Sequence, residues 1–98
     1  MAKKGYLVSA YRSIKDPDKL AAYAKLAGPA FAKYGAKYLA RGDAAQAYEA
    51  GIKQRIVLVE FESLAKAVEA HDSPEYQAAL KVLDNGVERD LRIVEGLE

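Results

Sequence analysis

The first pattern along the chain runs from Gly5 to Arg12, where Tyr6, Leu7, Val8, Ser9, Ala10 and Tyr11 are mostly β-branched, aromatic or small and predict a strand. A helix start follows. Asp16 suits an N-cap, Pro17 the first helical position, and Asp18 the positive end of the helix dipole. Leu20, Tyr23, Ala24, Ala27, Phe31 and Tyr34 then recur at helical spacing and predict an amphipathic helix of about five turns, capped by Gly35. Pro29 lacks a backbone N–H, so this helix is expected to kink or split near Ala27.

Ala36 to Arg41 predicts a second strand, and Gly42-Asp43 a turn. Ala44 to Gln54 has no strong period and reads as a loop with room for one helical turn. Arg55 to Phe61 is the clearest strand, with Ile56-Val57-Leu58-Val59 apolar on both faces. Ser63 caps a second helix over Leu64 to about His71, and Ser73-Pro74-Glu75 restarts it with its own N-cap, first-position proline and first-turn acid. Tyr76, Ala79, Leu80 and Leu83 form its apolar stripe, Asn85-Gly86 ends it, and Leu91 to Glu95 predicts a last short strand.

Two strand–helix–strand units in tandem predict an α+β fold over residues 1–98, one domain. It is a ferredoxin-like βαββαβ arrangement: a four-stranded antiparallel sheet with both helices on one face. The second face should then alternate with water-loving residues, and it does not. Ile56 and Leu58 point one way while Val57, Val59 and Phe61 point the other. Tyr6, Val8 and Ala10 likewise oppose Leu7, Ser9 and Tyr11. Covering about 400 Å² of such surface at about 25 cal/mol per Å² is worth about 10 kcal/mol before association costs. The expected cover is a second copy, giving a homodimer that closes into a dimeric α/β barrel.

Composition narrows the chemistry. The 98 residues are 51% hydrophobic and 30% charged, which excludes a disordered chain. There is no cysteine, so disulfides, thiolate metal sites and cysteine nucleophiles are excluded. Fifteen basic against fourteen acidic residues give a net charge of +1, which gives no electrostatic reason for nucleic-acid or membrane binding. Met1-Ala2-Lys3-Lys4 is not followed by an apolar signal core, and no apolar stretch approaches the roughly 20 residues of a membrane span, so a cytoplasmic protein is expected.

Several stretches carry a family resemblance. They are Asp16-Pro17, Tyr34 through Gly42, Glu49 to Arg55, Arg55 through Phe61 with Ser63, Ser73-Pro74-Glu75-Tyr76-Gln77, and Val94-Glu95-Gly96. In this order they cover nearly the whole chain, and together they are specific. The chain resembles the DUF1330 family, a domain of unknown function in the dimeric α/β barrel superfamily. The resemblance implies a ferredoxin-like homodimer. Its superfamily includes cofactor-independent monooxygenases, haem-degrading enzymes and ligand-binding transcription-factor domains, so fold analogy does not choose an activity. Against the family pattern, Asp43 stands where a second glycine is usual, Gly51 comes one place late behind Ala50, and Leu83 occupies the place of a frequent second-helix arginine. If that arginine anchors an anion in relatives, this chain lacks the anchor.

Arg41 ends one strand, Arg55 begins the next, and the loop between them carries Glu49. Two guanidiniums and a carboxylate near one sheet end suit a carboxylate or phosphate ligand, since arginine offers planar bidentate donors. The structural alternative is that Glu49 pairs with one arginine and ties down the loop. Glu60, on an otherwise apolar strand, is a candidate general base or a partner of Lys37 or Arg12. His71, the single histidine, adjoins Asp72, but adjacent helical residues do not face each other, and a helix-end histidine meeting the dipole is the structural alternative. Among seven tyrosines, Tyr6, Tyr11, Tyr38 and Tyr76 are candidates to line a cavity, with ordinary packing as the alternative.

No cluster has metal-ligand spacing, and no phosphate loop or dinucleotide fingerprint is present, so neither metal nor cofactor is expected. The preferred reading is a homodimer binding a small anionic organic molecule in a polar-rimmed pocket. Arg41 and Arg55 supply charge, Tyr38 and Tyr76 hydroxyls, and Glu49 orientation. The alternatives are a cofactor-independent monooxygenase- or isomerase-like enzyme with His71 or Glu60 as base, and a purely structural dimer.

Overall fold

The Asp16 carboxylate accepts hydrogen bonds from the amides of Asp18 and Lys19 at 3.1 and 3.2 Å, satisfying two donors that the first helical turn leaves orphaned. The computed structural model describes residues 3–97, so Met1-Ala2, part of the expected leader-free start, lies outside the described residues. Its elements are β1 (Gly5–Ile14), α1 (Pro17–Ala32), β2 (Lys37–Asp43), β3 (Arg55–Phe61), α2 (Leu64–Asp72), α3 (Pro74–Leu83) and β4 (Val87–Glu95). The sheet is four-stranded and antiparallel, in the order β2-β3-β1-β4. This is the ferredoxin-like α+β fold, with α2 and α3 together filling the second helical place.

Three boundaries differ from the sequence expectation. Pro29 neither splits nor ends α1, which runs unbroken through it. The bond lost at Pro29 is the one to the Lys25 carbonyl, and both residues lie on the exposed side of the helix, where an unpaired carbonyl costs little. Gly42-Asp43 is not a turn: Gly42 pairs with Ile56 and Asp43 with Arg55, so β2 continues and the Ala44 amide closes the loop on the Gln54 carbonyl at 3.0 Å. β4 begins four residues early, at Val87. Glu88-Arg89-Asp90 looks like a solvated charge run, yet Arg89 is held inward at a strand position opposite Tyr11.

Ser73 makes the joint between α2 and α3. Its hydroxyl donates to the Ala70 carbonyl at 2.8 Å and accepts from the Tyr76 amide at 3.2 Å, ending one helix and starting the next. Pro74 has no amide to continue α2, and the chain turns there. Gly5 lets β1 pass under the start of α2, because a Cβ there would sit 2.5 Å from the Ser63 carbonyl oxygen. The Gly86 carbonyl accepts from the Lys15 and Asp16 amides at 2.7 and 2.9 Å, tying the start of α1 to the lead into β4.

All three helices cover one side of the sheet. Leu7, Tyr11, Val59 and Phe61 of the strands meet Ala27 and Phe31 of α1 and Tyr76 and Leu83 of α3 in one buried core. Phe31 stacks on Tyr76 with ring centroids 4.4 Å apart and meets Phe61 edge-on at 5.5 Å. On the other side, Tyr6, Val8, Ala10 and Leu58 are half-buried, and Ile56 and Val94 are 38% and 54% exposed. Among the described residues, no helix covers that face. Nor is any described helix long and apolar enough to cross a membrane.

Ser73→Ala removes a buried hydroxyl that serves two helix ends at once. It is expected to cost about 1–2 kcal/mol. The check is urea unfolding, in which the midpoint falls while the slope stays unchanged.

Candidate functional site

Sheet register sets side chains in rows on the helix-facing side. Leu7 lies opposite Val59 and Ile93, Ser9 opposite Val57 and Leu91, and Tyr11 opposite Arg89. On the outer strand Tyr38 lies opposite Val59, Arg41 opposite Val57, and Asp43 opposite Arg55. From one end of the sheet to the other, the rows therefore change from apolar to charged, with Arg89, Arg41 and Arg55 at the charged end and Asp43 beside Arg55 at its edge. The charged end is the one where β1 hands over to α1.

Between these rows and α1 is a cavity lined by Tyr11, Tyr23, Tyr38, Arg41, Arg55 and Arg89, with Leu7, Leu20, Ala27, Phe31 and Val59 as its apolar part. Its volume is about 40 Å³, room for about three waters or one small charged group. The lining contains no aspartate or glutamate. Among the described residues, none of the three guanidiniums forms an ion pair with a carboxylate. The Arg41 guanidinium lies over the Tyr38 ring at 5.0 Å.

Arg89 is held by oxygens rather than by a carboxylate. One of its terminal nitrogens donates to Tyr11 Oη at 3.1 Å, Tyr23 Oη at 3.3 Å and Ser9 Oγ at 3.4 Å. The other donates to Tyr76 Oη at 3.2 Å. The Tyr23 and Tyr76 hydroxyls lie 2.6 Å apart, so one donates to the other. Tyr76 is fully buried and does not line the cavity, so its proton goes to Tyr23. The hydroxyl protons of Tyr23 and Tyr11 are then left for the cavity. Arg55 Nε is buried without any partner. The polar groups left over in the lining are thus mainly donors awaiting an acceptor.

Electrostatics agree with that polarity. Burial pushes the Tyr23 hydroxyl well above its ordinary value, aided by Tyr76 and opposed by the Arg89 charge. Burial also raises Tyr38, with Tyr23 and Tyr11 adding to it and Arg41 and Arg55 opposing. Burial alone would lower Arg89, but the surrounding tyrosine oxygens, Tyr23 first, outweigh it and hold the guanidinium charged. The cavity therefore holds neutral phenols and permanent cations.

Of the residues singled out in the sequence, Arg41, Arg55 and Tyr38 come together in this lining. Tyr76 stands one layer behind, gripping Tyr23 and Arg89. Tyr6 faces the other side of the sheet, where its hydroxyl donates to Glu60 at 3.1 Å and is itself raised, chiefly by that bond. Glu60 thus has a tyrosine as its partner, not Lys37 or Arg12, and lies outside the cavity.

Glu49 is a second correction. It is exposed, with φ of +53°, beside the Tyr48–Gly51 turn, and neither lines the cavity nor pairs with an arginine. The loop is closed at its stem by backbone bonds, so its tip needs no ion pair to anchor it. His71 does reach Asp72, at 3.0 Å, because the helix ends there and frees the Asp72 side chain; its ring lies 5.2 Å from that of Tyr76, outside the cavity. Leu83 is buried in the core away from the lining. Among the described residues, no group of three or more histidine, aspartate or glutamate side chains could hold a metal ion.

Arg89 and Tyr23 were missed as site residues. The signal for Arg89 was the alternation Val87, Arg89, Leu91, Ile93 against Glu88, Asp90, Arg92, which places a guanidinium on the inward face of a strand.

The fold and cavity define a ferredoxin-like protein with an arginine- and tyrosine-lined cavity between its first helix and its sheet. The chain belongs to the DUF1330 family, a domain of unknown function, whose model matches residues 4–97. A protein of unknown function from Rhodopseudomonas palustris is similar over 100% of this chain and 85% of its own, at 20% identity and a TM-score of 0.77. A dimeric ferredoxin-like protein of unknown function from Thermobifida fusca covers 97% of this chain and 92% of its own, at 15% identity and a TM-score of 0.65. A cofactor-independent oxygenase from Streptomyces nogalater matches 100% of this chain and 96% of its own, at 8% identity and a TM-score of 0.61. Among proteins with curated descriptions, none matches the chain in sequence.

Because Tyr23 is held above the ordinary phenol value of 10.0, the stability linked to it is present below that pH and is lost as pH rises past it, where unfolded tyrosine ionises first. Titration of phenol absorbance in the native protein should show Tyr6, Tyr23 and Tyr38 ionising late, and Tyr23→Phe should remove the last component.

Proposed function

We propose that the protein is a cytoplasmic homodimer in which each protomer binds a small anionic organic molecule, with the molecule's charged group seated in the arginine–tyrosine cavity. The observation that carries this reading is three guanidiniums on one cavity whose lining holds no carboxylate. Clustered cations in a half-buried site are destabilised by one another, and an incoming anion relieves them. Arg41 and Arg55 offer planar paired donors to a carboxylate or phosphate. Tyr11, Tyr23 and Tyr38 offer hydroxyls. Tyr76 acts by holding Tyr23 and Arg89, and Glu49 has no part.

The homodimer rests on the uncovered sheet face with Val8, Ala10, Ile56, Leu58 and Val94, and is supported by the dimeric ferredoxin-like relative from Thermobifida fusca. Two such faces packed together close an α/β barrel. A second reading, an enzyme acting on the bound anion, draws on the likeness to the cofactor-independent oxygenase. In that case the base is not His71 or Glu60 acting from within the cavity, since neither lines it.

The test is a thermal-shift screen of small carboxylates and phosphates. A binder at about a hundred times its Kd should raise Tm by roughly 10 °C. Arg41→Ala should weaken it about tenfold or more. If no compound stabilises the wild type more than this variant, the ligand reading is wrong.

The dimer is tested separately by light scattering at micromolar concentration. The wild type should have the mass of two chains, and Val8→Asp, which puts a charge on the open face, should have the mass of one.

A further inference from the structure

The cavity is equipped to give hydrogen bonds rather than to receive them. Tyr11, Tyr23, Tyr38, Arg41 and Arg55 line it from β1, α1, β2 and β3, and no aspartate or glutamate does. Asp43, the cross-strand neighbour of Arg55, stays outside the lining. Arg55 Nε is buried without a partner. The Tyr11 and Tyr23 oxygens already accept from Arg89, so their acceptor capacity is partly spent.

The occupant of such a cavity has three properties. Its size follows from the volume of about 40 Å³, which is that of about three waters. The three terminal oxygens of a phosphoryl group take those three places, whereas a carboxylate leaves one of them unfilled. Its charge follows from the three guanidiniums, which a single negative charge compensates less well than the nearly two charges of a phosphoryl group. Its protonation follows from the lack of a carboxylate in the lining. An oxyanion that keeps a proton must donate it, and a lining made of donors therefore selects the form that has none.

We propose that the cavity takes the dianionic phosphoryl group of a small phosphate monoester. This rests on the anion-binding reading above and names the ligand class of that site. Arg41 and Arg55 offer the oxygens paired donors, and the Tyr11, Tyr23 and Tyr38 hydroxyls complete the set. Tyr38 and Arg41 stand exposed on β2, an edge strand, so the rest of the molecule leaves on that side.

The ligand's own charge makes the idea testable by pH. A phosphate monoester takes up its second proton near pH 6. The titratable side chains facing the group are Tyr11 of β1, Tyr23 of α1, Tyr38 and Arg41 of β2, Arg55 of β3 and Arg89 of β4, with Tyr76 of α3 behind them. Phenols and guanidiniums do not change charge between pH 5 and pH 8.

The experiment is calorimetric titration of the full chain with methyl phosphate, methyl sulfate, inorganic sulfate and acetate. At pH 8 methyl phosphate should bind at least about tenfold more tightly than acetate or methyl sulfate, which has the same shape and one charge. At pH 5, where about one-tenth of it is dianionic, it should bind about tenfold more weakly. Sulfate is dianionic at both pH values and should bind alike at both. Arg55→Gln should weaken methyl phosphate about tenfold, and Tyr38→Phe should weaken it severalfold. Circular dichroism checks that both variants fold, at both pH values.

Acetate binding as tightly as methyl phosphate and depending on Arg55 overturns the proposal and leaves the anion reading standing. So does methyl phosphate binding that is as tight at pH 5 as at pH 8, or a sulfate affinity that falls with it, because the change then belongs to the protein. Sulfate binding without methyl phosphate binding also overturns it, since the cavity then serves a free ion. No binding of any of the four overturns both.

Discussion

Everything around the cavity depends on how Arg89 is held. A guanidinium on the inner face of a sheet is ordinarily matched by a carboxylate, and here it is matched by three phenols and a serine. Neutral oxygens satisfy its hydrogen bonds without cancelling its charge. The positive field therefore survives into the cavity, and Arg41 and Arg55 add to it from the neighbouring strands. The same bonds fasten β4 to β1, α1 and α3 at one point, so the site's electrostatics and the fold's closure share their contacts.

The fold was legible because its signals are local. Asp16, Ser63 and Ser73 each mark a helix start in the sequence, and each accepts the amide hydrogen bonds that a cap should. β3 has its expected bounds because both of its faces are apolar. The boundaries that moved are those where polar residues occupy strand positions. Gly42-Asp43 and Glu88-Arg89-Asp90 carry turn-like or solvated chemistry, and pairing with β3 and β1 respectively keeps them extended. Tertiary context overrides propensity at those places.

The site was half legible for a related reason. Arg41 and Arg55 flank one connection, and an antiparallel pair brings such ends together, so their meeting follows from topology. Arg89 is far from them in sequence and joins them only because β4 lies next to β1. Tyr23 recurs on the apolar stripe of α1 and is buried, yet it also lines the cavity. Glu49 shows the converse: closeness in sequence to two arginines does not pair it with either, and its side chain stands exposed in the loop.

The chain contains no tryptophan, so its near-ultraviolet emission comes from its seven tyrosines. Tyr11, Tyr23 and Tyr38 line the cavity, and two of them are bonded to the same guanidinium. Phenol fluorescence is quenched by its hydrogen-bonding surroundings. The protein thus carries a built-in optical probe at the site, readable without any label.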